Sequence, residues 1–276
     1  MGVTLNDVEL EWRERGEGDV VVFIHGFPFN SAMWGHQLAA LPHDWRGIAP
    51  DLRGFGASDP GADPVFTMDL LARDVAALLD HLRIDRAVLC GFSMGGYVAF
   101  EFWRQFGDRV RALILCDTRA SADAPDTQRA RRSLAERVRR EGQAPVVDAL
   151  LPKLLSPSTV RKQPGVVAMV RAMMEETTPE SMARALLGMA ARSDSEALLR
   201  TIDVPVLTIV GAEDTITSRG QAEMLARGIR GARLEPVESA GHIPPLERPE
   251  EFNAILAQFL AGLPRNSLST RHALGF

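Results

Sequence analysis

One serine in this chain is framed for nucleophilic attack. Gly91-Phe92-Ser93-Met94-Gly95-Gly96 follows the apolar, β-prone run Val88-Leu89-Cys90 and leads into a helix-like run, Tyr97-Val98-Ala99-Phe100-Glu101-Phe102. The spacing Gly91-x-Ser93-x-Gly95 is that of a nucleophile elbow, where a strand turns sharply into a helix. Such a turn crowds its own backbone. Side chains two residues to either side would collide, so glycine is used there. The serine hydroxyl then stands clear of the backbone at the amino end of a helix. The five-residue pattern is moderately specific by itself; the strand before it and the helix after it are the context it requires.

A serine hydroxyl is a poor nucleophile until a base takes its proton. In an open parallel α/β sheet the working residues gather at the carboxyl ends of the strands, so the base is sought just beyond strands that follow Ser93. Of six histidines (His25, His36, His43, His81, His242 and His272), only the last two come after it. His242 lies in Ser239-Ala240-Gly241-His242-Ile243-Pro244, after a strand-like run and before the last helix. His272 is in the tail and has no such setting. His242 is the candidate general base, then acid; a structural loop histidine is the alternative. The base needs an acceptor that fixes its tautomer. Gly211-Ala212-Glu213-Asp214 follows a strand-like run, and Asp214 is the first choice, with Glu213 beside it. Asp117, directly after Val110–Cys116, is a serious competitor.

A developing oxyanion needs two donors. One is the backbone N–H of Met94, the residue after the nucleophile. The other is expected from the loop His25-Gly26-Phe27-Pro28-Phe29-Asn30, where Phe27 has an N–H and Pro28 has none. His25 then reads as a brace for that loop. Phe27, Phe29, Trp34 and Met94, with Met169, Met173 and Met174 further on, are candidate walls of an apolar pocket, although core packing is the simpler reading for each methionine. Neither cysteine has metal-ligand spacing, and no metal is expected. Cys90 and Cys116 each end an apolar run and read as reduced core thiols.

The elements that must hold these residues follow from periodicity. Val8–Arg13 alternates, Val20–Ile24 is a continuous β-branched run, Trp45–Ala49 is a weaker strand, and Ala87–Cys90 and Val110–Cys116 are buried strands. Asp69–Leu82 carries a helical apolar stripe, and Met94–Phe106 is a second helix. Strand alternating with helix predicts a doubly wound, mostly parallel α/β sheet. The alternation stops after Asp117. Residues 119–199 contain no convincing strand and are punctuated by Pro125, Pro145, Pro152, Pro157, Pro164 and Pro179, which predicts several short helices. Strands return at Val204–Val210 and Ala232–Val237, and a helix over Pro249–Leu260 closes the fold. The domain reading is a core of residues 1–118 and 200–263, a helical insertion over 119–199, and a flexible tail over 264–276. Within the insertion, Arg119, Arg129, Arg131, Arg132, Arg137, Arg139 and Arg140 read as a solvated helix face balanced by Glu136 and Glu141.

Bulk properties narrow the class. The chain has 276 residues, is 46% apolar and 24% charged, and carries a net charge of −5. That is an ordinary globular composition and points away from nucleic acid and anionic membrane surfaces. No apolar run approaches the roughly 20 residues that span a bilayer. The first residues have neither a basic nor an apolar segment, so a signal peptide is not expected, and a cytoplasmic setting fits.

His25-Gly26-Phe27-Pro28, Asp51-Leu52-Arg53-Gly54-Phe55-Gly56-Ala57-Ser58, Gly91-Phe92-Ser93-Met94-Gly95-Gly96, Gly211-Ala212-Glu213-Asp214 and Gly241-His242 stand in the order typical of α/β-hydrolase fold enzymes, and residues 5–262 as a whole resemble them. The resemblance implies a hydrolase without cofactor, with the order Ser, Asp, His along the chain and a helical cap inserted after the sixth strand. A serine at the elbow sets it apart from haloalkane dehalogenases and epoxide hydrolases, which use aspartate there. Among serine members it is similar to small carboxylesterases and 3-oxoadipate enol-lactonases, and also to cofactor-free haloperoxidases with perhydrolase activity. Carbon–carbon bond hydrolases share the triad, and some proteins of this fold act as ligand receptors. The resemblance implies a small-molecule ester or lactone as partner, with small or medium, largely apolar groups, and leaves a homo-oligomer open.

Overall fold

The computed structural model describes residues 1–264. The expected flexible tail lies, from residue 265 on, outside the described residues. Among these, eight strands form one sheet: β1 (Gly2–Leu5), β2 (Val8–Arg15), β3 (Asp19–Ile24), β4 (Trp45–Pro50), β5 (Ala87–Phe92), β6 (Val110–Cys116), β7 (Val206–Gly211) and β8 (Arg233–Val237). The spatial order is β1-β2-β4-β3-β5-β6-β7-β8. β1 and β2 pair antiparallel, and every pairing from β4 through β8 is parallel. The doubly wound, mostly parallel sheet is therefore present. β1 has no counterpart in the sequence reading, because four residues of mixed exposure at an edge give too short a pattern to recognise.

The helices are α1 (Gly35–Ala40), α2 (Met68–His81), α3 (Met94–Phe106), α4 (Pro125–Glu141), α5 (Ala144–Leu154), α6 (Pro157–Lys162), α7 (Pro164–Glu176), α8 (Pro179–Ala191), α9 (Arg219–Gly228), α10 (Pro244–Glu247) and α11 (Pro249–Ala261). Five of them, α4 to α8, lie between β6 and β7, and each has proline in its first turn, where the missing N–H costs nothing. α1, α9 and the four-residue α10 have no counterpart in the sequence reading. α9 did carry a signal, a capping box between Ser218 and Gln221.

Apart from Asp19 and Arg111 the residues of the central strands are buried, which is why these strands read as nearly unbroken apolar runs. Cys90 and Cys116 lie in this core as free thiols, their Sγ atoms 3.9 Å apart. The helical block between β6 and β7 is hooked onto the rest of the chain. The Thr177 hydroxyl donates to the carbonyl of Pro28 (2.9 Å), and Phe66 N–H donates to the carbonyl of Arg184 (3.2 Å). Gly188 in α8 touches the same segment so closely that a Cβ there would lie 1.8 Å from the carbonyl oxygen of Phe66.

Candidate active site

The turn from β5 into α3 has the geometry that the glycine spacing demands. Ser93 sits at φ 51°, ψ −110°, a strained region for a residue with a side chain. A Cβ on Gly91 would lie 2.4 Å from the carbonyl oxygen of Gly95, and one on Gly95 would lie 2.2 Å from that of Ile24. The strand before, the neighbouring β3 and the first turn of α3 are in backbone contact, and only glycine permits it. The strained turn is pinned by Ser93 N–H donating to Cys116 O (2.9 Å) and by the Thr118 hydroxyl donating to Ser93 O (2.8 Å).

Ser93, His242 and Asp214 come together at the carboxyl ends of β5, β8 and β7. His242 Nε2 lies 3.0 Å from Ser93 Oγ, and Nδ1 lies 2.8 Å from Asp214 Oδ2. Asp214 Oδ1 accepts from the N–H groups of Ile216 (2.7 Å) and Thr217 (3.0 Å). Burial pushes the Asp214 carboxyl up, but the facing His242 and these amides outweigh it and hold the group below the usual carboxylate range. An ionised Asp214 fixes the tautomer of His242: Nδ1 carries the proton and donates to Asp214, which leaves the Nε2 lone pair for the Ser93 hydroxyl. Thr217 Oγ1 stands 3.2 Å from Nδ1 and is itself oriented by donating to Asp117 O (3.0 Å).

The acid loop and the histidine loop reach each other across β7 and β8. A Cβ on Gly211 would lie 1.8 Å from the carbonyl oxygen of Gly241, so Gly211 lets two backbones touch. Glu213 N–H donates to Ala240 O (2.8 Å), which holds Glu213 in the loop frame and away from the imidazole. Asp117, the competing acid, accepts from Gly211 N–H through Oδ1 (2.8 Å), and its Oδ2 is buried without a partner. Burial first, and the charge of Asp214 second, raise the Asp117 carboxyl well above the ordinary range. Asp117 therefore holds its proton more tightly than Asp214 beside it. Among the described residues, Asp117, Asp214 and His242 form the one group with donor atoms close enough to share a metal ion, but Asp214 and His242 are already bonded to each other.

The loop after β3 is organised from within. His25 Nδ1 donates to Gly26 O (3.0 Å), and Nε2 accepts from Leu52 N–H (3.0 Å). Burial holds this imidazole below its ordinary pKa, and the two bonds suit the neutral ring. Asp51 continues the brace, accepting from Ser31 N–H (2.6 Å) and Ala57 N–H (3.0 Å). Phe27 lines the same cavity as Ser93 and His242. Met94 is the first residue of α3, so its N–H has no acceptor within the helix. Its side chain is fully buried in the core and is not among the residues lining that cavity.

Phe29, Trp34 and Met173 need the same correction as Met94. Phe29 and Trp34 are fully buried and pack with Phe23, Phe92 and Phe252 in an aromatic cluster under the site. Met173 is buried within the hydrophobic core, and none of the three lines the cavity beside Ser93. An aromatic near an oxyanion loop can pack beneath it as well as above it, and sequence order does not separate the two. The cavity is instead walled by Phe27, Tyr97, Leu150, Leu154, Met189 and Ile216, together with Arg119 and Arg131. The arginines between residues 119 and 140 therefore do not form one solvated face. Arg132, Arg137, Arg139 and Arg140 are exposed as expected, with Arg137 on Glu141 and Arg139 on Glu180. Arg119 and Arg131 turn the other way.

Other contributors were missed altogether. Glu247 is buried and accepts from Gly241 N–H (2.8 Å) and Ser156 N–H (2.7 Å), tying the histidine loop to the helical block. His242 N–H donates to Leu154 O (2.8 Å) at the end of α5. Arg53 is buried on Asp74 through Nε (2.6 Å) and Nη2 (2.7 Å), so Asp74 interrupts the apolar stripe of α2 with a charge.

Comparison with known proteins agrees with this architecture. A family model described as alpha/beta hydrolase fold matches residues 19–249. The 3-oxoadipate enol-lactonase 2 of Acinetobacter baylyi is 31% identical over 253 residues, 91% of this chain and 92% of that protein. A thermophilic esterase from Thermogutta terrifontis, solved with malate bound, superposes with a TM-score of 0.91 at 41% identity, covering 95% of this chain and 97% of that one. The enol-lactonase of Burkholderia xenovorans superposes with a TM-score of 0.88 at 32% identity, covering 95% of this chain and all of that one, 100%. With an elbow between β5 and α3, an acid after β7 and a histidine after β8 on a sheet of this order, the chain belongs to the alpha/beta hydrolase fold family.

Proposed function

We propose that the protein is a serine hydrolase that cleaves carboxylic esters, lactones included, through an acyl-enzyme. The observation that carries this reading is the unbroken line from Asp214 through both nitrogens of His242 to Ser93 Oγ, with spans of 2.8 and 3.0 Å. His242 takes the proton as Ser93 Oγ attacks the carbonyl carbon. The tetrahedral oxyanion is held by the N–H groups of Phe27 and Met94, and Asp214 stabilises the imidazolium. The imidazolium then protonates the leaving alkoxide. Water repeats the sequence in the second half, with His242 as base, and Ser93 is released.

Relatives named as esterases and enol-lactonases support both substrate classes, since a lactone differs only in keeping its leaving group tethered. The helices of residues 119–199 act as a cap, with Leu150 and Leu154 of α5 and Met189 of α8 contributing the apolar wall over the serine. The test is Ser93→Ala. It should abolish hydrolysis of short acyl esters and covalent labelling by a fluorophosphonate, while the circular dichroism spectrum stays unchanged. A folded Ser93→Ala protein that still turns over esters would sink the proposal.

A further inference from the structure

Three guanidinium groups converge on one carboxylate at the wall of the catalytic cavity. Asp123, whose side chain is fully buried, accepts from Arg119 Nη2 (2.5 Å) and Arg131 Nε (2.7 Å) and pairs with Arg192 Nη1 (2.8 Å). Burial raises the Asp123 carboxyl, but the charges of Arg131 and Arg192 outweigh it and hold it below the usual range, so it is ionised. One negative charge against three positive ones leaves the cluster with a surplus of two. Arg192 is buried and donates through Nη1 to the carbonyl of Met189 and through Nη2 to that of Ser121, with Nε buried without a partner and its guanidinium 4.1 Å over the Tyr97 ring. Arg119 and Arg131 keep about a fifth of their side chains exposed and line the same cavity as Ser93 and His242.

Their valences are not filled. Arg119 Nε is buried without a partner. Arg131 Nη1 has only the sulfur of Met189 at 3.6 Å, and its Nη2 donates to no described residue. No carboxylate side chain is among the lining residues of that cavity; Glu101 and Glu196 line adjoining cavities that Arg119 also reaches, and neither is ion-paired with it. A desolvated guanidinium with free N–H groups matches a carboxylate, which accepts two parallel bonds from its fork.

We infer that Arg119 and Arg131 form a carboxylate subsite, and that the substrate is an ester or lactone bearing a free carboxylate at the end of a short apolar chain. The inference rests on the proposed hydrolase chemistry and narrows its substrate. The apolar wall of Leu150, Leu154 and Ile216 takes the chain, and the arginine pair takes its charged end.

The test compares monomethyl glutarate, adipate and pimelate with neutral methyl esters of the same chain lengths, and 6-acetoxyhexanoate with hexyl acetate, all by pH-stat titration at pH 7.5. At least one carboxylated substrate should exceed its neutral partner tenfold or more in kcat/KM. That ratio should fall tenfold in Arg131→Gln and in Arg119→Gln, chiefly through KM, and recover in part in Arg131→Lys. If the wild type labels with fluorophosphonate and hydrolyses esters but prefers the neutral member of every pair, the subsite is wrong and the hydrolase reading stands. A ratio unmoved by either glutamine substitution overturns the assignment of the two arginines. Failure to label or to hydrolyse any ester overturns both.

Discussion

Replacing Asp117 with asparagine should make folding stability less dependent on pH. Asp117 is 1% exposed, with Oδ1 on the Gly211 amide and Oδ2 turned to no donor. Burial, then the Asp214 charge, raise its carboxyl well above 3.8. The folded protein keeps a proton there that the unfolded chain releases once pH passes the ordinary carboxylate range. The folded state binds more protons, so stability is fully present below that range and is lost as pH rises toward the raised value. The slope is about 1.4 kcal/mol per pH unit. Above about pH 4.5 the wild type should lose stability through this group, at up to this slope, until pH reaches the raised value. For a chain of 276 residues one pH unit at this slope corresponds to about 2–3 °C in melting temperature.

Asparagine keeps the acceptor for Gly211 and presents an N–H donor where the Asp117 proton is, and it does not titrate. Asp214 shifts in the opposite direction and contributes stability that is lost on acidification, but it is present in both proteins and cancels in the difference. Urea unfolding of both proteins at three pH values in this window measures the gap directly. The Asp117→Asn protein should gain on the wild type as pH rises. A gap that stays constant or narrows with rising pH would refute the view that Asp117 holds its proton more tightly than Asp214 beside it.

Asp214→Asn leaves the shape of the site but reverses the hydrogen bond to His242 Nδ1, which removes the Nε2 lone pair from Ser93; kcat should fall by about 10⁴. A loss below tenfold in steady-state kinetics would transfer the orienting role to Asp117, whose Oδ2 is unpartnered. Gly188→Ala drives a methyl group into the Phe66 carbonyl, which sits 1.8 Å from the ideal Cβ position, and neither backbone can yield freely. It should cost about 1–3 kcal/mol by denaturant unfolding, and an unchanged midpoint would show that α8 can slide on this segment.

The candidate site was legible because its signals are local. The elbow needs glycine two residues to either side of Ser93, and both close contacts are visible in the fold. The acid and the histidine lie directly past strands whose apolar runs are unmistakable, so their order alone put them on one edge of the sheet. What stayed hidden was set by contacts between distant segments. Glu247 reads as an ordinary polar residue near the start of the last helices, yet it receives the backbone of both Gly241 and Ser156. Asp74 occupies a position in α2 that an apolar stripe would fill, and only the approach of Arg53 makes a charge tolerable there.

The arginines of α4 show why substrate recognition was the part least open to inspection. Counting charges along the helix pairs them with Glu136 and Glu141, and for Arg137 that is correct. Arg131 differs from Arg132 by one residue, and one step around a helix is about 100°. That step takes Arg132 into solvent and Arg131 onto Asp123 at the cavity wall. Asp123 in turn lies before the helix, on the loop that also carries Arg119, and Arg192 arrives from the far end of α8. The charge that matters to a ligand is the remainder after these three have shared one carboxylate. That remainder belongs to the tertiary arrangement, and no window of sequence contains it.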